Sequence, residues 1–116
     1  MTRVAVLGAG AWGTALADLL ARKGHDVQLW AHEPDVADAI NAEHRNPLYF
    51  PDAALDQRLV ASSDLAAVIG DAPVICSVAP SHVTRALFER AAPLVRPGTR
   101  LVCATKGIET ETLALM

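Results

Sequence analysis

Gly8-Ala9-Gly10-Ala11-Trp12-Gly13 spells G-x-G-x-x-G. This spacing lets a chain leave a buried strand, turn tightly and enter a helix. Gly8 permits the turn off the strand. Gly10 has no Cβ to hold a pyrophosphate away from the backbone, and Gly13 lets the helix lie close to the strand. The free amides at the helix start, those of Ala11 and Trp12 among them, act with the helix dipole to attract phosphate. The chemistry this turn predicts is dinucleotide binding. Two plainer readings stand beside it: a glycine turn kept for packing alone, and a similar turn used for S-adenosylmethionine. The third glycine and the early strand argue against the methyltransferase.

The residues after the second strand bear on which dinucleotide is bound. An acidic side chain there holds a ribose 2′-hydroxyl, whereas a basic one accepts a 2′-phosphate. The stretch runs Leu29-Trp30-Ala31-His32-Glu33, with no acid at Ala31. His32 can donate to a phosphate, and Glu33 can still serve a ribose. The expected cofactor is therefore NADP or NAD, with NADP slightly favoured; a solvated loop histidine is the plainer reading of His32.

Lys106, in Thr105-Lys106-Gly107, follows an apolar run. A lysine just past the carboxyl end of a strand stands where open α/β sheets bind ligands. It can pair with a substrate oxygen or phosphate near a nicotinamide. From position alone a solvated loop lysine is an equally good reading. The Trp12 ring either walls the cleft or joins the core. Ser81 reads better as a helix cap than as a cofactor neighbour, and His82 as a surface residue. Tyr49 and Phe50 either cover the cleft or pack beneath their own loop. His25 and His44 are given no role.

The elements that must position these residues follow from apolar patterning. The unalternating runs predict strands near 3–8, 26–31, 73–78 and 99–104, as in a parallel sheet buried on both faces. A short strand is expected at Leu59 and Val60. Helices are expected over Ala11–Lys23, with Ala15, Leu16, Leu19 and Leu20 as the apolar positions and Gly24 as the cap, and over Pro34–Glu43. A short one should run from Ser63 or Asp64 to Ile69, a longer one from about His82 to Val95, and a last pattern begins at Thr110. Residues 44–55 hold two prolines and read as an irregular loop. Strand and helix in alternation make the fold class α/β, a Rossmann-type doubly wound sheet, mostly parallel.

Composition agrees with one domain over residues 1–116. The chain is 52% apolar but only 4% aromatic, which suits helices packed on a sheet. Ten basic against thirteen acidic residues leave a net charge of −3, so no basic face is expected for nucleic acid or membrane. Cys76 and Cys103 lie in apolar runs, without a second Cys or His at ligand spacing. They read as buried reduced thiols, and no metal site is expected. The first apolar run, Val4 to Leu7, is too short for a secretory signal. A cytoplasmic protein is the expectation. The final helical pattern stops at Met116 after barely two turns, which predicts a domain cut short at its C-terminal end.

Taken together, the motifs resemble a family. Gly8-Ala-Gly-Ala-Trp-Gly-Thr-Ala-Leu-Ala17 is similar to the opening of bacterial NAD(P)-dependent glycerol-3-phosphate dehydrogenase. Leu29-Trp30 with His32 follows, then Asn46 with Tyr49-Phe50-Pro51, Val78-Ala79-Pro80-Ser81-His82, and Ala104-Thr105-Lys106-Gly107-Ile108-Glu109. The resemblance implies hydride transfer between dihydroxyacetone phosphate with NAD(P)H and sn-glycerol 3-phosphate, feeding glycerophospholipid synthesis. It implies cofactor contacts at Gly8, Gly10, Ala11, Trp12, Gly13, His32 and Lys106, with Lys106 also touching the small phosphate substrate. It implies a helical second half, missing from this chain, that carries the proton-transferring lysine. Hence no catalytic residue is expected here, and the fragment alone should be inactive. The sequence itself is silent on oligomeric state and leaves a homodimer of the full-length protein open. Two departures stand out: Ala11 replaces the family's usual Ser, and His32 stands where Arg is frequent. Outside this family, a nucleotide-sensing Rossmann module and related dehydrogenases, such as ketopantoate reductase or 6-phosphogluconate dehydrogenase, share the first turn. A sensor has no need of Lys106. The related dehydrogenases are not expected to combine the Asn46–Pro51 and Lys106–Glu109 motifs.

Overall fold

The computed structural model describes residues 2–46, 54–78, 87, 89–95 and 98–103. Five strands form one sheet: β1 (Arg3–Leu7), β2 (Asp26–Trp30), β3 (Val60–Ser62), β4 (Val74–Ser77) and β5 (Arg100–Cys103). Their order is β3-β2-β1-β4-β5, and every pairing is parallel. Helices intervene among the described residues: α1 (Ala11–Arg22), α2 (Pro34–Glu43) and α3 (Leu65–Ile69). Residues 89–91 are helical too and lead into a 3-10 turn at Ala92–Leu94.

Parallel strands need helical crossovers, so helices cover the faces and the strands become apolar on both sides. Successive side chains of a strand point to opposite faces. Val4 and Val6 of β1, Val27 and Leu29 of β2 and Cys76 of β4 enter one core with Ala17 and Ala21 of α1 and Val36, Ala37 and Ile40 of α2. Ala5, Leu7, Trp30 and Ile75 enter the other, with Leu65, Val68 and Ile69 of α3 and with Leu87 and Ala91. This is the doubly wound arrangement expected. Burial pushes the Cys76 thiol above its ordinary pKa, so it stays protonated and inert.

The termini of the elements follow local chemistry. Asp64 caps α3, accepting from the amides of Ala66 and Ala67 at 3.1 and 3.3 Å. Pro34 occupies the first turn of α2, where it forfeits no helical hydrogen bond. After α1, the amides of Gly24 and His25 return to the carbonyls of Ala21 and Leu20 in a Schellman closure.

Three expectations need correction. The buried stripe of α1 is Gly13, Thr14, Ala17 and Ala21, while Leu16 and Leu20 are only partly buried and Leu19 is 50% exposed. The helix lies so close to the sheet that only small side chains fit between them. The edge strand β3 begins at Val60, so Leu59 precedes it, wholly buried. Gly8 and Ala31, each placed in a strand by the sequence reading, fall just past the ends of β1 and β2. The expected helix start at His82 and the pattern from Thr110 lie outside the described residues. Among those described, no helix is long and apolar enough to cross a membrane.

Candidate functional site: the glycine turn and the carboxyl edge of the sheet

The chain leaves β1 through Gly8, whose φ of 121° strains any residue with a Cβ. Its amide donates to the carbonyl of Trp30 at 3.1 Å, which ties the turn to the end of β2. Gly10 is the N-cap of α1, and no side chain caps the helix. The first helical hydrogen bond runs from the Thr14 amide to the Gly10 carbonyl, at 2.9 Å. The amides from Ala11 to Gly13 thus have no acceptor within the helix. No acidic residue sits in this first turn to oppose an anion.

The two later glycines are needed for different reasons. A Cβ on Gly13 would collide with the carbonyl oxygen of Gly8. Gly13 is therefore required by the close approach of helix to strand. Gly10 has φ −69° and ψ −175°, open to any residue, and a Cβ there would meet nothing within 4 Å. Neither conformation nor packing asks for glycine at this exposed position. The close approach of a ligand would.

Behind the turn lies a closed polar cluster. The side-chain amide of Asn46 donates to the Ala9 carbonyl and to the Thr14 hydroxyl, both at 2.8 Å. The Thr14 hydroxyl donates to the same Ala9 carbonyl at 3.2 Å. Thr14 and Asn46 are fully buried. Sequence reasoning assigns neither of them to a site. The residue types gave little signal, since a Thr on a helix and an Asn before Pro have commoner explanations; only the family motif singled out Asn46.

Further along α1, the returning chain is fastened again. Arg22 donates to the Ala54 carbonyl at 2.9 Å, and the Asp56 amide donates to Asp18 at 2.8 Å. Hydrogen bonds from Arg58 hold the Asp56 carboxyl well below the usual carboxylate range.

The carboxyl ends of β1 and β4 meet beside the turn, where Leu7 pairs with Ser77 and the Val78 amide donates to the Leu7 carbonyl at 2.9 Å. Strand order reverses between β1 and β4. Open α/β sheets bind ligands at such a switch point. Ser77 is buried there, and its hydroxyl has no hydrogen-bond partner among the described residues.

At the end of β2, Ala31 is fully buried in the core beneath α1 and α2. The first side chain to emerge is His32, which is exposed. Its ring meets that of Trp30 edge-on, with centroids 5.8 Å apart. Trp30 is held by its indole N–H, which donates to the Ser63 carbonyl at 3.1 Å, and by the Arg90 guanidinium 5.6 Å from its ring. Glu33 is the N-cap of α2, its carbonyl accepting from the amides of Val36 and Ala37.

The fold thus gathers Gly8, Gly10, Ala11, Trp12 and Gly13 in one turn, joined through the Gly8–Trp30 bond to the strand end that presents His32. Trp12 is 64% exposed, so it is not a core aromatic in this chain. Lys106 lies outside the described residues, as do Tyr49, Phe50, Ser81 and His82. Among the described residues, no group of three His, Cys, Asp or Glu side chains can hold a metal ion. The arrangement is chemically an anion cradle: uncapped amides, a helix N-terminus and a glycine with free space above it.

Comparison with known proteins bears on what the anion belongs to. Residues 3–116 match the family model described as the N-terminus of NAD-dependent glycerol-3-phosphate dehydrogenase. The chain is 46% identical over 113 residues to a glycerol-3-phosphate dehydrogenase [NAD(P)+] of Syntrophotalea carbinolica, covering 97% of this chain and 34% of the relative. It is 50% identical over 109 residues to the enzyme of that name from Halorhodospira halophila, covering 94% of this chain and 32% of the relative. Its backbone superposes on a crystal structure of glycerol-3-phosphate dehydrogenase from Coxiella burnetii with a TM-score of 0.85 at 40% identity, covering 96% of this chain and 34% of that one. The chain therefore spans about a third of the length of the relatives it matches.

Proposed function

Because this chain belongs to the family of NAD-dependent glycerol-3-phosphate dehydrogenases, matching its N-terminal part, we propose that it is the cofactor half of an enzyme interconverting dihydroxyacetone phosphate and sn-glycerol 3-phosphate. The observation that carries this reading is Gly10, a glycine that neither its dihedral angles nor its neighbours require. A pyrophosphate lying against the turn supplies the missing reason.

In this reading residues 1–116 form the dinucleotide-binding domain. Gly8 and Gly13 shape the turn, and the amides of Ala11 and Trp12 hold the pyrophosphate with no help from a side-chain hydroxyl. When bound, the nicotinamide supplies or takes up the hydride. The cofactor is NADP or NAD. His32 favours NADP, because it is the first exposed side chain past β2 and can donate to a 2′-phosphate. Lys106 binds the phosphate substrate and cofactor together. Its support is that β5 ends at Cys103, three residues before it, at the carboxyl edge of a parallel sheet. A fixed ammonium there stabilises negative charge developing on the substrate oxygen. The product suits glycerophospholipid synthesis in the cytoplasm.

The test is an assay of the full-length protein with dihydroxyacetone phosphate and each reduced cofactor in turn. Oxidation of NADPH or NADH that depends on dihydroxyacetone phosphate is expected, with NADPH the better donor. Cofactor binding without turnover of this substrate would instead support a sensing module or a related dehydrogenase.

A further inference from the structure

We propose that Asn46 is a positioning residue for the phosphate-binding turn: it holds the Ala9 carbonyl inward and so turns the Gly10 amide outward. The proposal rests on the dinucleotide reading given above and adds a device to it. A trans peptide is planar, with its C=O and N–H pointing in opposite directions. The Ala9 carbonyl and the Gly10 amide belong to one such unit. Whatever fixes the first fixes the second.

The Ala9 carbonyl accepts from two donors, Asn46 at 2.8 Å and Thr14 at 3.2 Å. Because a carbonyl oxygen only accepts, the Asn46 atom facing it is the amide nitrogen. The other hydrogen of that nitrogen goes to the Thr14 hydroxyl at 2.8 Å. Both hydrogens of one side-chain amide are thus committed to the glycine turn and the helix that follows it. The cluster is buried, where such bonds are strong and their loss is costly. Glycines flank Ala9 on both sides, so the backbone here has little stiffness of its own. An external clamp is what can hold one peptide orientation among several.

The delivery of Asn46 is also built into the fold. The chain leaves α2 through His44 in a left-handed conformation, φ 56° and ψ 42°. The Leu55 amide then donates to the His44 carbonyl at 2.8 Å. Two residues beyond His44, Asn46 reaches the turn at the other end of the chain's first half. Cofactor affinity is thereby coupled to the packing of the segment after α2.

The experiment compares Asn46→Ala, Thr14→Val and Thr14→Ser with wild type in the full chain. Thr14→Val removes the hydroxyl with almost no change of shape, and Thr14→Ser keeps it. Calorimetric titration with NADH, ADP-ribose and adenosine separates contact with the pyrophosphate from contact with the base. Amide ¹⁵N relaxation at Gly10 and Ala11, without ligand, reads the clamp directly. The expected result is a loss of roughly ten-fold in affinity for NADH and ADP-ribose in Asn46→Ala and roughly three-fold in Thr14→Val. Adenosine affinity is unchanged, Thr14→Ser behaves as wild type, and the Gly10 amide becomes more mobile in the first two variants. A residue of merely structural importance lowers thermal stability and leaves the ratio of ADP-ribose to adenosine affinity alone. Wild-type ADP-ribose affinity in a folded Asn46→Ala overturns the proposal. Should that variant not fold, wild-type affinity together with wild-type Gly10 mobility in Thr14→Val overturns it. If wild type itself binds no ADP-ribose, the dinucleotide reading fails, and the relaxation data judge the clamp alone.

Discussion

At the scale of single residues, the glycines make separable predictions because the structure requires them for different reasons. Gly10→Val should leave the fold intact, since an added Cβ meets nothing within 4 Å. It should remove dinucleotide binding in titration calorimetry, because the branched side chain takes the pyrophosphate's space. Gly13→Ala reverses the pattern. Its Cβ collides with backbone, not with a flexible side chain, so helix and strand must part. A loss of about 2 kcal/mol in chemical denaturation is expected, as for other overpacked cores. Lys106→Ala in the full-length enzyme should lower kcat/KM for dihydroxyacetone phosphate by roughly 10²–10³, with much less effect on NAD(P)H affinity. Lys106→Arg should rescue poorly, because a planar fork does not replace a compact ammonium. Near wild-type kinetics in the alanine variant would remove Lys106 from the site. The glycine triplet was legible in the sequence because each role leaves the same mark, an absent Cβ at fixed spacing. Asn46 and Thr14 were not, because their partnership joins positions 32 residues apart and depends on a turn after α2 that no local pattern specifies.

At the scale of elements, strand positions were legible because a parallel sheet covered on both faces leaves unbroken apolar runs. Such runs are read from composition alone and survive errors of one residue at either end. The inward face of α1 was not legible. Apolar periodicity weights large side chains and points to Leu16, Leu19 and Leu20, whereas contact with the sheet is made by Gly13, Thr14, Ala17 and Ala21. The glycine turn itself dictates this. It starts the helix so close to β1 that the facing stripe must stay small for two further turns. Ala17→Leu should therefore destabilise the domain by about 1–3 kcal/mol, although Leu is nearly as good a helix former as Ala and more hydrophobic. A denaturation midpoint equal to wild type would show that α1 has room to move outward, and would weaken the account of Gly13 as well.

At the scale of the whole molecule, the order β3-β2-β1-β4-β5 was foreseeable only as a class, from alternation of strand and helix. Which strands neighbour one another is settled by crossovers that leave no local trace. That order brings the glycine turn, the end of β2 and the end of β4 to one edge of the sheet and so concentrates the binding residues. Among the described residues it places no second wall opposite them, and the relatives are about three times as long as this chain. Binding and turnover should accordingly separate. Residues 1–116 alone are expected to fold, showing helical circular dichroism, and to bind ADP-ribose through the turn. They are expected to reduce no dihydroxyacetone phosphate. Hydride transfer needs the carbonyl carbon held in line with the nicotinamide, and fixed positioning of two reactants is worth several powers of ten in rate. The new alkoxide must also receive a proton from a group set beside it, a further contribution of roughly 10²–10⁴. No described residue is placed as that donor, and in the proposed function it belongs to the part of the relatives' length that this chain does not span. Turnover by purified 1–116, free of full-length enzyme, would mean that this edge of the sheet holds substrate and donates the proton unaided. Activity gained on adding in trans the part of a relative that this chain does not span would show that a second wall is what the reaction lacked.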